Sequence, residues 1–196
     1  MATKEASAIK IEVPNFVMMR IPIIGDSPYV PHKQDVEVVK VAQHIGQKVK
    51  VKKERDLDAE YESCFYRDYD GDYAIPGSAF HSAICSATLD LDKIFKTTIR
   101  RNIHVAEEFV KLEYSEIRRR EDIVRQSGKT RAPDLRVRPE FADWSTTITI
   151  RFDADVISQE SMLNLIALAG AKIGVGDHRL EQGHDSGAFH IGETNV

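Results

Sequence analysis

The last third of the chain constrains the fold more than any other part. Thr146 to Phe152 alternate apolar and polar side chains, which is typical of a half-buried strand. An amphipathic helix is predicted next, from Gln159 to Ala169. Glycines at high density let the backbone approach another backbone or a ligand closely. Four of them separate this helix from a short final strand: Gly174, Gly176, Gly183 and Gly187.

A matching unit is predicted upstream. Phe16 to Ile24 is a mostly apolar strand, in which Pro22 favours an edge position or a bulge. Ser78 to Leu91 spaces its apolar residues by three and four, as a helix does, and Pro76 is a start signal. His104 to Tyr114 is the next predicted strand. The order is βαββαβ, so we expect an α+β protein with a ferredoxin-like, RRM-like core.

Two long insertions interrupt the predicted core, at 26–75 and 116–144. Residues 1–15 are expected to form an N-terminal arm, and residues 16–196 one ferredoxin-like domain. Insertions of this length are too large to be simple turns of a compact domain. We therefore expect the protein to bind something through them and to self-associate.

Several classes of protein are disfavoured by the composition. No apolar run reaches the roughly 18 residues that span a bilayer, and the first residues lack a secretory signal, so we expect a cytoplasmic protein. Cys64 and Cys85 form no CxxC pair, which argues against a zinc ribbon and a disulfide framework. His178, His184 and His190 are spaced by six and match no zinc-ligand pattern. We expect neither a metal nor another cofactor.

Positive charge is concentrated in the second insertion. The net charge of the chain is -4, yet between Glu116 and Pro139 eight basic residues minus four acidic ones give +4, which leaves -8 elsewhere. Guanidinium groups pair with phosphate oxygens, so this segregation predicts a surface for a polyanion, although a solvated loop is the alternative. The basic residues are Arg118, Arg119, Arg120, Arg125, Lys129, Arg131, Arg136 and Arg138. A smaller ridge holds Lys50, Lys52 and Lys53.

Three fragments carry a resemblance to a known family. Ile21–Pro28 is a strand that breaks at a Ser-Pro turn, Ile75–His81 opens a helix with Ile-Pro-Gly-Ser, and Gly174–Gly187 precedes the last strand. Together they resemble the RAMP superfamily of CRISPR systems, especially the backbone subunit of Cascade-type effector complexes. In that family the insertion at 116–144 would be a protruding hairpin or thumb. His81 departs from the pattern, because a basic residue is usual there.

The resemblance implies a function and its partners. Such a protein binds single-stranded nucleic acid, with RNA favoured, and its copies assemble along the strand beside other effector-complex subunits. His81 joins the basic residues as a candidate contact. The glycine loop would approach the nucleic-acid backbone through free amides, or would be a flexible return without a ligand. No Gly-Lys-Ser/Thr follows it, so a nucleoside triphosphate site is not indicated.

Three other functions stay open. A phage-encoded relative would be a single-strand-binding protein of replication or recombination. A RAMP-type endoribonuclease would use His81 or Asp134, but no nucleophile and base lie at a usable spacing, so we expect no catalysis. A phage structural or assembly protein would pair its arginines with acidic neighbours. The tyrosines at 61, 66, 69 and 73 are expected to pack the first insertion on the core more than to stack on bases.

Overall fold

The computed structural model describes residues 13–33, 56–91, 95–125 and 133–193. These residues form both helices and antiparallel strands, which confirms the α+β class. The helices are α1 (Leu57–Ser63), α2 (Gly77–Ala87), α3 (Lys96–Asn102) and α4 (Gln159–Lys172). The strands are β1 (Phe16–Gly25), β2 (Ala74–Pro76), β3 (Ile103–Val105), β4 (Phe109–Lys111), β5 (Glu116–Arg125), β6 (Pro133–Ala142), β7 (Ser145–Asp153) and β8 (Phe189–Ile191). None of the helices in these ranges is long and apolar enough to cross a membrane.

The core sheet has four antiparallel strands in the order β3-β7-β1-β8. β1 and β7 pair from Phe16 opposite Asp153 to Ile24 opposite Ser145. Helix α2 lies in the chain between β1 and β3, and α4 lies between β7 and β8. In each β–α–β unit the two strands are therefore separated by one strand of the other unit. β7 lies between β1 and β3, and β1 lies between β7 and β8.

Two helices cover one face of this sheet. Alternate residues of β1 and β7 point into the core, and Ile23, Ile148 and Phe152 are fully buried there. Phe80 of α2 and Ile166 of α4 are also fully buried in the same apolar cluster. The apolar spacing of three and four predicted these faces correctly, because a helix brings such residues to one side.

Two details of the predicted elements differ in the structure. The last helix is predicted to end at Ala169, but α4 continues through Gly170 to Lys172. A Cβ at Gly170 would lie 2.0 Å from the carbonyl oxygen of Phe189, so this glycine allows α4 to pack directly on β8. Pro22 was expected to mark an edge or a bulge, but β1 is an inner strand.

The position of β8 explains why Pro22 is tolerated. The N and C=O groups of one residue point to the same side of a strand. The carbonyl of Pro22 accepts from the amide of Gly192, so its missing N–H faces the β8 side. The β8 ladder starts only at Ile23, opposite Ile191, and the ladder with β7 loses nothing.

The segment predicted as a strand from His104 to Tyr114 divides between two sheets. β3 belongs to the core sheet, whereas β4 pairs with β2, from Ala74 opposite Lys111 to Pro76 opposite Phe109. The short helices α1 and α3 were not predicted, because each has only seven residues and one or no buried residue.

Residues 116–142, within the range predicted as the second insertion, form a two-stranded hairpin. β5 and β6 pair from Glu116 opposite Ala142 to Arg125 opposite Pro133. At its base Phe141 is buried and bonds through its backbone to Tyr29 in both directions, at 2.9 and 3.0 Å. Trp144 is also buried, and its indole N–H donates to the carbonyl of Ser27 at 2.7 Å. The hairpin is therefore anchored to the core by two buried aromatic residues, Phe141 and Trp144.

The predicted packing of the tyrosines holds for part of the set. The rings of Tyr61 and Tyr73 lie 5.3 and 4.7 Å from that of Phe65, which is buried. Tyr69 is instead 84% exposed, and its hydroxyl donates to Glu108.

Candidate nucleic-acid interface

The start of α2 and the glycine loop, residues 173–187, line the same groove. Its volume is about 310 Å³, and we call it the helix–loop groove. Two of the three fragments that resemble the RAMP superfamily therefore meet in space. The residues that line the groove come from α2 and its N-cap, from the glycine loop and from the segment after β1. They include Pro76, Ser78, Ser82, Gly174, Gly176, Asp177, Arg179 and His32.

The start of α2 has no side-chain cap. Pro76 occupies the N-cap position and has no side chain that could accept from the helix. The amide of Gly77 donates to the carbonyl of Glu108 at 2.8 Å. Ser78 and Ala79, which line the groove, are in the first turn, where amides have no acceptor within the helix. The positive end of the α2 dipole therefore lies at the groove.

On the opposite wall Asp177 is the centre of a polar network. Its Oδ2 lies 3.1 Å from Nδ1 of His32 and 3.0 Å from Nη2 of Arg138. The hydrogen bond with His32 and then the charge of Arg138 hold the pKa of Asp177 well below its ordinary value. Arg179 donates from Nε and Nη2 to one oxygen of Glu181. Each carboxylate on this wall thus has a guanidinium partner.

Amides of the glycine loop form hydrogen bonds with the chain's own backbone. The amides of Val175 and Asp177 donate to the carbonyls of Gly187 and Val30, and the amide of Gly187 donates to Pro28. The expectation that the loop offers free amides to a ligand does not hold for these three groups. The loop is folded tightly against residues 28–30, with positive φ at Gly174, Gly176, Gly183 and Gly187.

The arginines of the hairpin are paired with carboxylates. All five whose side chains the structure describes have an acidic oxygen within 3.0 Å: Arg118 with Glu116, Arg119 with Asp58, Arg120 with Asp122, Arg136 with Asp134 and Arg138 with Asp177. Over 116–125 and 133–139, the described part of the counted range, six arginines minus four acidic residues give +2, and extending the count to 144 adds Glu140 and Asp143 and gives zero. The other +2 of the predicted excess belongs to Lys129 and Arg131, which lie outside the described residues.

Arg138 differs from its neighbours in burial. Its side chain is 7% exposed, and Nη1 lies 2.8 Å from Nε2 of His178. The Arg118 side chain is 55% exposed, so its pair with Glu116 is in water, where such a pair contributes about 0 to 1 kcal/mol and can be exchanged for a phosphate. The phosphate contact predicted for Arg138 stays a prediction; in this structure its guanidinium is buried and joins the hairpin to the glycine loop through Asp177 and His178.

The other predicted residues are not brought to the groove. His81 lies on α2, where Nε2 is 3.9 Å from Sγ of Cys85, and it does not line the groove. Burial raises the pKa of the Cys85 thiol, which disfavours a reactive thiolate. The side chain of Arg125 and residues Lys50, Lys52 and Lys53 lie outside the described part of the structure. Within the described residues no group of three metal-ligating side chains occurs.

Sequence reasoning missed His32, Ser82 and Arg179. His32 belongs to no fragment or charge run that marked it. Ser82 lies one turn after Ser78 on α2, and Arg179 lies within the Gly174–Gly187 fragment, so their positions in the two recognised fragments were the signal that could have found them.

Two alanine substitutions should distinguish the energetic cost of a steric clash from the cost of a positive φ angle. Gly187 and Gly183 have similar φ angles, 71° and 79°. A Cβ at Gly187 would lie 1.8 Å from the Val175 carbonyl oxygen, whereas a Cβ at Gly183 would have no atom within 4 Å. Gly183→Ala should lower the free energy of unfolding by about 1 to 2 kcal/mol, the cost of a left-handed residue. Gly187→Ala should lower it much further in urea titrations followed by circular dichroism. Equal losses would show that the approach at Gly187 does not limit the loop.

A second pair of variants tests the role of Arg138. Arg138→Met leaves Asp177 half-buried without its guanidinium, so the unfolding free energy should fall by about 3 to 5 kcal/mol. Arg118→Met removes an exposed pair and should cost about 0 to 1 kcal/mol. Chemical denaturation of both variants measures this difference, and a small loss for Arg138→Met would contradict the proposed anchoring.

The pH dependence of stability should report on His178. Burial and then the charge of Arg138 lower the pKa of His178 below its ordinary value of 6.5. The unfolded chain then binds a proton at a higher pH than the folded chain does. The stability contributed is complete above 6.5 and is lost as the pH falls through the folded pKa.

The variant His178→Gln removes this titration and serves as the control. Its unfolding free energy, measured by denaturant titration at a series of pH values, should fall less steeply below 6.5 than that of the wild type. Parallel curves would mean that His178 does not titrate differently in the folded protein.

Comparison with known proteins gives a match at the level of structure. No protein-family model and no curated protein matches the sequence. A chain of the type III-B Cmr-beta complex, seen by cryo-electron microscopy bound to cognate target RNA, matches with a TM-score of 0.50 and 10% identity. The match covers 91% of this chain and 60% of that chain, so this protein spans less than two thirds of its length.

Cmr6 from Pyrococcus furiosus is also similar, with a TM-score of 0.44, 11% identity and coverage of 92% of this chain and 100% of that one. The Cmr-beta match alone supports the assignment of the fold. The chain therefore shares its fold with a chain of the type III-B Cmr-beta complex.

Proposed function

We propose that this protein binds single-stranded RNA as a subunit of a RAMP-type assembly. The observation that carries the proposal is the helix–loop groove, where the Ile-Pro-Gly-Ser start of α2 and the glycine loop meet. The structural neighbour from the Cmr-beta complex, which was seen with target RNA, supports RNA as the ligand. Other subunits of such a complex are proposed partners.

The chemistry of the groove suits RNA better than DNA. The start of α2 offers positive potential and the hydroxyl of Ser78 to one phosphate. Asp177 and Glu181 offer carboxylate oxygens, whose charges Arg138 and Arg179 compensate. A 2′-hydroxyl can donate to such an oxygen, and DNA has no such donor.

The same proposal includes the architecture. The order β3-β7-β1-β8, with α2 and α4 as the two crossover helices, supports a ferredoxin-like core over residues 16–196. The ranges 26–75 and 116–144 are then insertions, and residues 1–15 are an arm. This core positions the helix–loop groove at the start of one crossover helix and after the end of the other.

The hairpin would extend the contact surface. The sequence between β5 and β6 contains no acidic residue from 125 to 133, and its cations are Arg125, Lys129 and Arg131. The exposed arginines Arg118 and Arg119 can exchange their carboxylates for phosphates, since exposed pairs are weak. Arg120 and Arg136 are half-buried beside carboxylates that are themselves partly buried, and they are proposed as further contacts. Contacts by Lys50, Lys52, Lys53 and His81, and copies of the protein side by side along the strand, complete the proposal.

One observation favours a second function. The pairing of the hairpin arginines with acidic neighbours is what an assembly protein without nucleic acid would have. In that case the hairpin is a protein contact. A phage origin, with a replication, recombination or structural role, stays a prediction, and we propose no catalysis.

A negative charge at the start of α2 should test the groove. Ser78→Asp places a carboxylate beside the proposed phosphate, and an acidic residue in the first turn of a helix does not harm the helix. Thr97→Asp makes the same change in the first turn of α3, at an exposed residue away from the groove. Fluorescence anisotropy with a labelled single-stranded oligouridine should show about tenfold weaker binding for Ser78→Asp, the size of one lost charged contact.

The control variant Thr97→Asp should bind as the wild type does. Equal affinity of Ser78→Asp and wild type would remove the groove from the RNA site. A wild type that binds no RNA but grows in mass with concentration in light scattering would establish the protein-only assembly instead.

A further inference from the structure

The four-stranded sheet has a second face that no helix within residues 13–33, 56–91, 95–125 and 133–193 covers. On β1 and β7 the residues alternate between the buried face under α2 and α4 and this open face. We call it the open sheet face. It carries aromatic, aliphatic, basic and hydroxyl side chains: Phe16, Met18, Arg20, Ile24, His104, Thr147, Thr149, Arg151 and His190.

The apolar side chains on the open sheet face are unusually exposed for a core strand. Phe16 is 54% exposed and Met18 is 62% exposed. The strand register places Met18 opposite Arg151 and Arg151 opposite His104, so an apolar and two basic side chains form one row across three strands. The guanidinium carbon of Arg151 lies 4.8 Å from the centroid of the Phe16 ring.

The two arginines of this face are not neutralised as the hairpin arginines are. Neither Arg20 nor Arg151 has a carboxylate within 4.0 Å in the part of the chain that the structure describes. The nearby acids are engaged elsewhere. Asp153 accepts from the amides of Asn15 and Asp155, and Glu107 accepts from the amide of Thr149.

We propose that the open sheet face binds the unpaired bases and the phosphates of a single RNA strand. Bases stack on aromatic rings and on guanidinium planes, and the Phe16 and Arg151 pair offers both. Arg20 and Arg151 supply charge for phosphates, and Thr149 lies opposite Arg20 as a hydroxyl partner. A duplex hides its bases, so this arrangement selects a single strand.

A groove continues the open sheet face beyond Arg20. Its volume is about 750 Å³, and its lining includes the apolar Pro22 and Ile24, the cations Arg20 and Lys111 and the carboxylates Glu113 and Asp143. Lys111 is paired with Asp72, so Arg20 is the cation that can meet a phosphate while a base lies on the apolar part. The charge distribution disfavours a protein partner as occupant. Docking an apolar protein surface on the open sheet face would bury Arg20 and Arg151 without carboxylate partners.

This inference shares its ligand class with the proposed function but not its surface. The helix–loop groove lies with α2 and the end of α4, whereas the open sheet face is on the other side of the sheet. The two sites can therefore succeed or fail separately.

Charge removal from the open sheet face tests the phosphate contacts. The double variant Arg20→Gln/Arg151→Gln should weaken binding of labelled single-stranded oligouridine about tenfold, and lower the salt slope of the affinity by about 1.4, since each single-strand contact contributes about 0.7. The matched control Arg100→Gln/Arg101→Gln removes the same charge from exposed residues of α3 and should leave affinity and slope unchanged. Phe16→Ala should weaken binding about tenfold without changing the slope, and Phe16→Trp should restore it.

The outcomes separate the two proposals. If Ser78→Asp weakens binding while the open-face variants bind as the wild type does, this inference is wrong and the helix–loop groove stands. If only the open-face variants weaken it, the groove is wrong. If the open-face variants leave RNA binding intact but reduce the mass seen by light scattering, the face docks a protein, which also overturns this inference.

Discussion

The antiparallel ladder between β1 and β7 is the constraint on which the rest of the structure depends. It pairs nine residues of each strand, and it buries one face under α2 and α4. A shift of one residue would exchange Ile21 and Ile23 for Arg20 and Ile24 on the buried side, so the hydrophobic pattern specifies the register. The same register places β8 and β3 on the two flanks. It therefore also determines where the start of α2, the glycine loop and the open sheet face lie.

Much of this core could be predicted from hydrophobic periodicity. The strand predicted at 146–152 is β7, the strand at 16–24 is β1, and the last helix was correct except at its end. These predictions succeeded because alternation of two and spacing of three and four are local properties of the chain. They failed where tertiary contacts decided. The inner position of Pro22 depends on how far β8 extends, and the continuation of α4 past Gly170 depends on its packing on Phe189.

The site could be predicted only in outline. The helix start and the glycine loop were recognised, and they line one groove. The phosphate contacts of the hairpin arginines stay a prediction, and a charge count along 116–139 does not include the carboxylates that the fold brings from elsewhere. Asp58 reaches Arg119 from α1, Asp177 reaches Arg138 from the glycine loop, and Glu140 reaches Arg120 across the hairpin. Conversely, Arg20 and Arg151 are single cations in apolar strands, and only the sheet register shows that they share an open face. What matters for a polyanion is which cations have no partner, and that is a property of the folded chain.

We propose that single-stranded RNA contacts two surfaces on opposite sides of the core sheet. Ultraviolet cross-linking of the protein to an oligouridine, followed by mass spectrometry of the cross-linked peptides, locates these contacts directly. Cross-links are expected to the peptides around 16–24 and 76–82, and to the glycine loop. Cross-links confined to β5 and β6 of the hairpin, or none at low salt, would contradict this proposal.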